Sequence, residues 1–258
     1  DLALIKGDPS ERRRFLDELI TTRWPRMAGV RADYDRVLRQ RVTLLKSLMG
    51  RSRAIREDAE STLEVWDESL ARFGAELMHA RLATVADLTP HVADAYTAIA
   101  PTNNDAGIEY RSAIGADATT SQSEIEARLI LAMGERRSDE LQRGVCLVGP
   151  HRDELPLSLG ELPAKGYASH GESWSFALSL KLGAFALLRA DGVQPVLILD
   201  DVFAELDQMR RERLAGMISQ AEQVLITAAV PDDVPAGLGG RRFRVDGGEV
   251  SEESDAGS

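Results

Sequence analysis

The chain divides by the period of its apolar positions. From about Pro25 to Ala100 the period is helical: Val30, Tyr34, Val37, Leu44 and Leu48 recur at spacings of three, four or seven, with Arg41 interrupting the seam. After Gly50, a second stripe of Leu63, Trp66, Leu70, Phe73, Leu77 and Ala80 alternates steps of three and four. Two stripes joined by a short break predict an antiparallel helical pair with coiled-coil-like packing, and they place Trp66 and Phe73 in the apolar seam. A third helix is expected from Thr89-Pro90 to just before Pro101. Ahead of these, Asp8-Pro-Ser10 can open a helix, since Pro is favoured in a first turn, and Glu11 to Ile20 continues it.

Beyond residue 100 the pattern becomes mixed α/β. Ile108–Ile114 alternates like an exposed strand, and Ser121-Gln-Ser-Glu124 has capping-box spacing for a helix to about Gln142. Val145–Val148 and Leu155–Leu159 are expected to pair as strands around Gly149-Pro-His-Arg-Asp153. A helix from Gly171 to Arg189, a strand Val196–Leu199, a helix Asp207–Gln220 and a strand Val224–Thr227 follow. Strand, helix, strand implies a parallel crossover, and the unbroken apolar run of Val196–Leu199 implies cover on both faces. Arg241–Val245 reads as a terminal strand and Ser251–Ser258 as a frayed tail.

Composition narrows the class. The chain has 258 residues, 43% hydrophobic and 28% charged, as in an ordinary soluble globular protein. No apolar run approaches the roughly 20 residues of a membrane span. A single cysteine, Cys146, excludes an intramolecular disulfide and fits a reducing cytoplasm. Set in Val145-Cys-Leu-Val148, it reads as a buried structural thiol. A net charge of −11 argues against indiscriminate nucleic-acid binding, yet residues 1–56 carry 14 Lys and Arg against seven Asp and Glu. That section is +7 and the remainder −18. It is either a localised polyanion-binding face or a solvated arginine-rich helix face.

The candidate chemistry lies in Pro195-Val-Leu-Ile-Leu-Asp-Asp-Val-Phe-Ala-Glu-Leu-Asp207, an apolar strand ending in two adjacent carboxylates. Burying Asp200 and Asp201 is costly without a cation or donors, and a Mg²⁺·nucleotide characteristically sits beyond the carboxyl ends of such strands. Upstream, Ala168-Ser-His-Gly-Glu-Ser173 places a hydroxyl and free amides at a helix N-terminus, suited to an anion, although Ser before Gly is also an ordinary N-cap. A capped helix, an Asp-terminated strand and Glu-Leu-Asp, in that order, characterise the ATPase heads of the ABC class. No Gly-x-x-x-x-Gly-Lys-Ser/Thr loop occurs; the lysines are Lys6, Lys46, Lys165 and Lys181.

Three stretches resemble one family, the RecF proteins of bacterial DNA replication and repair. Gly7-Asp-Pro-Ser-Glu-Arg-Arg-Arg-Phe-Leu-Asp17 is similar to the family's Gly-x-Pro-x-x-Arg-Arg-x-Phe-Leu-Asp element. Gly149-Pro-His-Arg-Asp153 resembles its Gly-Pro-His-Arg-Asp turn, and Leu197 to Leu214 resembles its Walker B and D-loop pattern through Ala204-Glu-Leu-Asp207 and Arg210. The resemblance implies an α/β fold: the C-terminal lobe of a P-loop, ABC-type ATPase head, its sheet mostly parallel, with an inserted helical, coiled-coil-like arm. Residues 1–25 would end an N-terminal ATPase lobe, 26–140 form the arm, and 141–258 the C-terminal lobe. The family's Walker A loop precedes the Gly-x-Pro element, so the chain reads as a C-terminal fragment expected to bind ATP and Mg²⁺ weakly and to be inactive alone.

The resemblance also implies roles. Asp200 would hold Mg²⁺, and Asp201 would orient the attacking water. Ser169, Gly171, Glu172 and Asp207 would meet nucleotide across an ATP-dependent homodimer. Ala228-Ala-Val-Pro231 follows the last strand without the ABC switch histidine, leaving Thr227 as a weak substitute sensor. Arg12, Arg13, Arg14, Arg23 and Arg26 are the candidates for DNA phosphates. His151, Arg152 and Asp153 either contact DNA or nucleotide or form an internal ion pair capping a hairpin. The complete protein would be a slow DNA-dependent ATPase acting at gapped single-strand/duplex junctions. It would work with RecO and RecR to load RecA in gap repair and the SOS response. The alternatives are an SMC-like structural head that clamps DNA, and a folded but inactive interaction module.

Overall fold

The helical period of the first hundred residues resolves into two long helices. In a computed structural model, which describes residues 2–100 and 105–253, these are α3 (Met27–Leu48) and α5 (Glu60–Ile99). The short α1 (Ala3–Lys6) and α2 (Pro9–Arg23) precede them, and α4 (Arg53–Asp58) lies between. α5 runs unbroken through Pro90, where the sequence predicts a new helix. A proline in a helix interior costs about 3 kcal/mol. Here the stripe continues past it through Val92, Ala95, Tyr96 and Ile99, all buried, and each large apolar side chain contributes roughly 1.5–3 kcal/mol.

α5 packs along α3, α6 (Gln122–Arg143) and α8 (His170–Ala190). The α5–α8 approach is close: a Cβ at Gly183 would lie 2.7 Å from Val92 Cγ2 and 3.0 Å from its backbone nitrogen. On α3 the seam runs Tyr34, Val37, Arg41, Leu45 and Leu48, with Leu45 taking the place expected for Leu44, which is half-buried. Arg41 does not interrupt this seam. It is fully buried, with Nε 2.5 Å from Asp67 Oδ1 on α5 and Nη2 2.6 Å from Glu140 Oε2 on α6. Nη1 reaches Cys146 Sγ at 3.3 Å, and Arg137 closes on the second Asp67 oxygen at 2.5 Å. Burial works against the Arg41 charge, but Cys146, Glu140 and Asp67 together outweigh it and raise its pKa.

A second buried guanidinium lies further along α5. Arg81 grips both oxygens of Asp17 on α2, at 2.8 and 2.9 Å, and donates to the carbonyl of Pro150 at 2.7 Å. Helices α2, α3, α5 and α6 are thus tied through two arginines to one connecting segment, residues 146–153.

That segment corrects a sequence expectation. Val145–Val148 is not a strand, because side chains take its backbone groups: the Leu147 N–H donates to Glu140 and the Cys146 carbonyl accepts from Arg152. The partner of β2 (Leu157–Leu159) is instead β1 (Ala106–Ile108), antiparallel with Ala106 opposite Leu159, and an Arg111–Glu154 bridge extends the pair. β3 (Leu162–Pro163) adds to β2, and the single distorted turn α7 (Ala164–Tyr167) leads to α8.

Residues up to Val193 form one compact unit and those from Gln194 a second. In the second, β4 (Leu197–Asp200) and β5 (Val224–Thr227) pair in parallel through the crossover helix α9 (Gln208–Ile218), as the pattern requires. Only one face of β4 is covered: Leu197 and Leu199 are buried, whereas Ile198 is 65% exposed. The unit supplies one layer, in which Phe203, Leu206, Leu214 and Ile218 are buried along with Leu197 and Leu199. β6 (Arg242–Asp246) and β7 (Glu249–Glu253) form a hairpin over Gly247 and Gly248, both at positive φ, as a tight primed turn needs. Ser251–Glu253 is therefore strand, not frayed tail; the rest of that predicted tail, 254–258, and Pro101 lie outside the described residues. Among the described residues the parallel pairing is β4–β5, and no helix is long and apolar enough to cross a membrane.

Replacing Arg41 by Met leaves Asp67 and Glu140 buried with one cation fewer. We expect a loss of about 3–5 kcal/mol in urea unfolding. A loss below 1 kcal/mol would show that the network contributes little to stability.

Candidate functional site

Parallel pairing puts Asp200 directly opposite Thr227 at the carboxyl ends of β4 and β5. The Thr227 hydroxyl donates to Asp200 Oδ1 at 2.5 Å and accepts the Asp201 N–H at 3.1 Å. The chain must turn sharply here, and Asp201 does so at φ 52°, the only non-glycine residue at positive φ among those described. Such a conformation costs on the order of 1–3 kcal/mol and persists only where surrounding bonds determine it. Those bonds are the Asp201 N–H to the Thr227 carbonyl, at 3.1 Å, and to its hydroxyl. The result is two exposed carboxylates displayed from one strand end, one oxygen of Asp200 already engaged and the other open.

The loop that follows is fixed from behind. Asp207 N-caps α9, its Oδ1 accepting the Arg210 N–H at 3.0 Å, while its side chain stays exposed. Arg211 donates to the carbonyls of Phe203 and Leu206 and pairs with Asp233 at 2.8 Å, joining the Glu-Leu-Asp loop to the segment after β5. Sequence reading passed over Arg211; only its place one turn into α9 marks it.

In the first unit, Ser169 caps α8 with a full capping box. Its Oγ accepts the Glu172 N–H at 3.3 Å, and Glu172 Oε2 accepts the Ser169 N–H at 2.8 Å. Glu172 thus sets the Ser169 conformation. The amides of His170 and Gly171 begin the helix without intrahelical acceptors.

The Gly149–Asp153 turn has its polar groups turned inward. His151 shares a 2.6 Å hydrogen bond with the buried Tyr34 hydroxyl, and Arg152 holds the Cys146 carbonyl at 2.6 Å. Asp153, 1% exposed, accepts from the Tyr110 hydroxyl at 2.6 Å and the Ala113 N–H at 3.0 Å. These bonds lie within the fold: Asp153 accepts from two neutral donors, and the Arg152 guanidinium donates to a backbone carbonyl. Tyr34 and Tyr110, which complete them, were not singled out; Tyr34 was visible only as a polar-tipped seam residue. Burial holds the His151 imidazolium down to a pKa of about 4 and pushes the Cys146 thiol up to about 11.

The five arginines proposed for DNA separate by environment. Arg12 is buried, bonded to the Leu4 and Gly7 carbonyls and to Glu154 at 2.8 Å. Arg23, its side chain 5% exposed, bridges Asp87 and Asp191. Arg14 and Arg26 face solvent, paired with Glu11 and Glu76 respectively. Arg13 is half-buried and donates to the Asp153 carbonyl at 2.7 Å.

A strand ending in paired carboxylates, an Asp-capped crossover helix with a parallel return strand, and a Ser-capped helix preceding them make this the fold of an ABC-type ATPase head. No protein-family model matches the chain. It is 58% identical over 251 residues to the DNA replication and repair protein RecF of Streptomyces avermitilis, covering 97% of this chain and 67% of that protein. The Cutibacterium acnes and Rhodococcus erythropolis proteins of the same name are 53% and 54% identical, with 97% and 98% of this chain covered and 66% of each relative. The chain therefore belongs to the RecF family and spans about two thirds of the length of these relatives. Among solved structures it superimposes on the recombination mediator protein RecF-ATP of the RecFOR pathway with a TM-score of 0.84 at 26% identity, covering 98% of this chain and 65% of that one. The same protein as RecF-ATPrS gives a TM-score of 0.83, also at 26% identity, with 98% and 66% covered.

The neutral His151 ring sets a pH dependence. Its folded pKa of about 4 lies below the ordinary 6.5. Its contribution is therefore complete above pH 6.5 and is lost as pH falls toward 4, by about 3 kcal/mol. Asp153, raised by burial, acts with the opposite sign at the acid end. Urea midpoints between pH 7 and 4 should fall in the native chain and fall less in His151→Gln; equal slopes would refute the assignment.

Proposed function

We propose that this chain supplies the C-terminal ATPase lobe and helical arm of a DNA-repair ATPase. Residues 1–25 and 141–258 would belong to the head and 26–140 to the arm. The carrying observation is the β4–β5 tip, where Asp200, Asp201 and Thr227 are locked together by hydrogen bonds. Among the described residues no three His, Cys, Asp or Glu side chains cluster as metal ligands. Magnesium suits such a tip, because it keeps its waters and takes one or two carboxylates together with substrate phosphates. The open Asp200 oxygen would hold Mg²⁺, whose charge, when bound with ATP, offsets that of the phosphates. Asp201, aimed by its left-handed backbone, would orient the attacking water.

Ser169 and the His170 and Gly171 amides would meet the γ-phosphate held by a second subunit. Glu172 acts through Ser169, since a carboxylate placed beside the phosphate would repel it. Asp207, exposed at the cap of α9, would face the same dimer interface. Thr227 serves more as a carboxylate clamp than as a phosphate sensor, because both its hydroxyl contacts are internal.

DNA is the proposed macromolecular partner, at gapped single-strand/duplex junctions. Of the five arginines, Arg13, Arg14 and Arg26 remain as phosphate contacts, because Arg12 and Arg23 are committed to the fold. The RecFOR description of the structural relative supports RecO and RecR as partners, with RecA loading and the SOS response as the wider setting. A cytoplasmic site of action accords with these roles and with the single buried thiol.

The test uses protein of the relatives' full length. We expect Asp200→Asn to abolish ATP hydrolysis on gapped DNA. Thr227→Val should lower kcat about tenfold or more with little change in KM, and Thr227→Ser should restore it. Hydrolysis persisting in Asp200→Asn would reject the reading.

A further inference from the structure

In the first unit, two consecutive helices and the 146–153 turn meet at one cleft. A cavity of about 310 Å³ opens between α2 and α3, walled by Ser10, Arg13 and Arg14 on one side and Arg31 on the other, and floored by Arg81 and His151. It is a place where cationic groups outnumber their partners. Arg14 is set against Glu11, and Arg81 is held bidentately by Asp17. Arg13 and Arg31 then outnumber Asp35, the one remaining carboxylate of the lining.

Neither of these two guanidinium groups has a good anion. Arg13 places a single N–H on the Asp153 carbonyl and pairs with no carboxylate among the described residues. Arg31 stands 3.5 Å from an Asp17 oxygen that Arg81 already holds, and its side chain is 37% exposed. Burial and the neighbouring Arg81 charge lower the Arg13 pKa, the signature of a cation short of negative charge. A guanidinium fork with unfilled donors matches the oxygens of a phosphoryl group, which accept two parallel N–H bonds. The cavity is at the lower end of the range that holds small ligands, enough for one phosphate and its sugar.

We infer that the α2–α3 cleft binds a phosphoryl group through Arg13 and Arg31, a set of residues distinct from those of the Asp200 tip. The phosphoryl group belongs to a nucleic-acid backbone or to a free polyphosphate; the first source rests on the DNA reading above. Arg31, absent from the sequence-derived candidates, becomes the central contact. Of the lining, the His151 ring and the Tyr34 hydroxyl are neutral and add no competing negative charge.

The full chain is tested as Arg31→Ala and as Arg13→Lys, which keeps the charge but loses the fork. Arg136→Ala, an exposed arginine of α6, controls for net charge. Gapped-DNA binding is read by fluorescence anisotropy at two salt concentrations and inorganic pyrophosphate binding by calorimetry. We expect Arg31→Ala to weaken DNA about tenfold and to reduce the salt slope by about one, with Arg136→Ala unchanged. Thermal melting of Arg31→Ala identical to native separates lost contact from lost fold. If pyrophosphate binds and is lost in Arg31→Ala while DNA affinity is unmoved, the cleft is a phosphoryl site whose source is a free polyphosphate. If DNA weakens and pyrophosphate does not bind, the source is the backbone. If neither ligand responds to either variant, or the Arg136 control responds equally, the inference is overturned. Native DNA binding with Arg31→Ala indifferent toward both ligands removes this site but leaves the DNA reading standing.

Discussion

Two buried guanidinium groups, Arg41 and Arg81, hold the first unit in register. Each lies where an apolar seam passes, and each reaches carboxylates on other helices: Asp67 and Glu140 for Arg41, Asp17 for Arg81. Both also act on the 146–153 segment, Arg41 through Cys146 and Glu140, Arg81 through the Pro150 carbonyl. Apolar packing alone lets a helix slide or rotate at small cost. A buried ion pair does not, because misalignment strands a charge in low dielectric. Where replaced by well-packed apolar side chains, such networks often add no stability, so their contribution here is best understood as specificity of alignment.

That constraint explains which parts of the fold were legible. Helices were, since Leu63, Leu70, Leu77 and their neighbours repeat with a period that only one secondary structure buries. The parallel β4–β5 pair was legible too, because a strand, an amphipathic helix and a second strand admit few connections. The Val145–Val148 strand failed for a reason that local pattern cannot show. Cys146 and Val148 do bury, but Glu140 and Arg152 take the segment's backbone hydrogen bonds, and both depend on tertiary placement. Pro90 failed similarly: local chemistry says stop, while burial against α8 at Val92 says continue. One-sided cover of β4 was hidden because an apolar run records the hydrophobicity of both faces without recording what lies against them.

Site residues were legible in proportion to how far their chemistry is local. Asp200, Asp201 and Asp207 sit at fixed spacing on a strand end and a helix cap, so sequence alone placed them. Ser169 and Glu172, expected as a phosphate corner, form a reciprocal capping box in which Glu172 holds the Ser169 backbone. The arginines were hardest, because counting charge cannot tell a solvated guanidinium from one committed to the interior. Arg12 and Arg23 are internal struts, whereas Arg31, a full helix away from the arginine triplet in sequence, shares a cleft with Arg13.

Ion pairing decides which of the first section's charges remain open to a ligand. The +7 of residues 1–56 is not a uniform coat: Arg12, Arg23 and Arg41 are consumed by Glu154, Asp87, Asp191, Asp67 and Glu140. Only the remainder is open to a polyanion, in a chain whose net charge is −11. Binding under those conditions favours a small number of well-directed guanidinium contacts over a broad basic surface. A cleft anchored to the Arg81-held turn would supply that direction, because the buried Arg81–Asp17 pair ties α5 to α2, which carries Arg13, and Arg31 on α3 approaches the same Asp17.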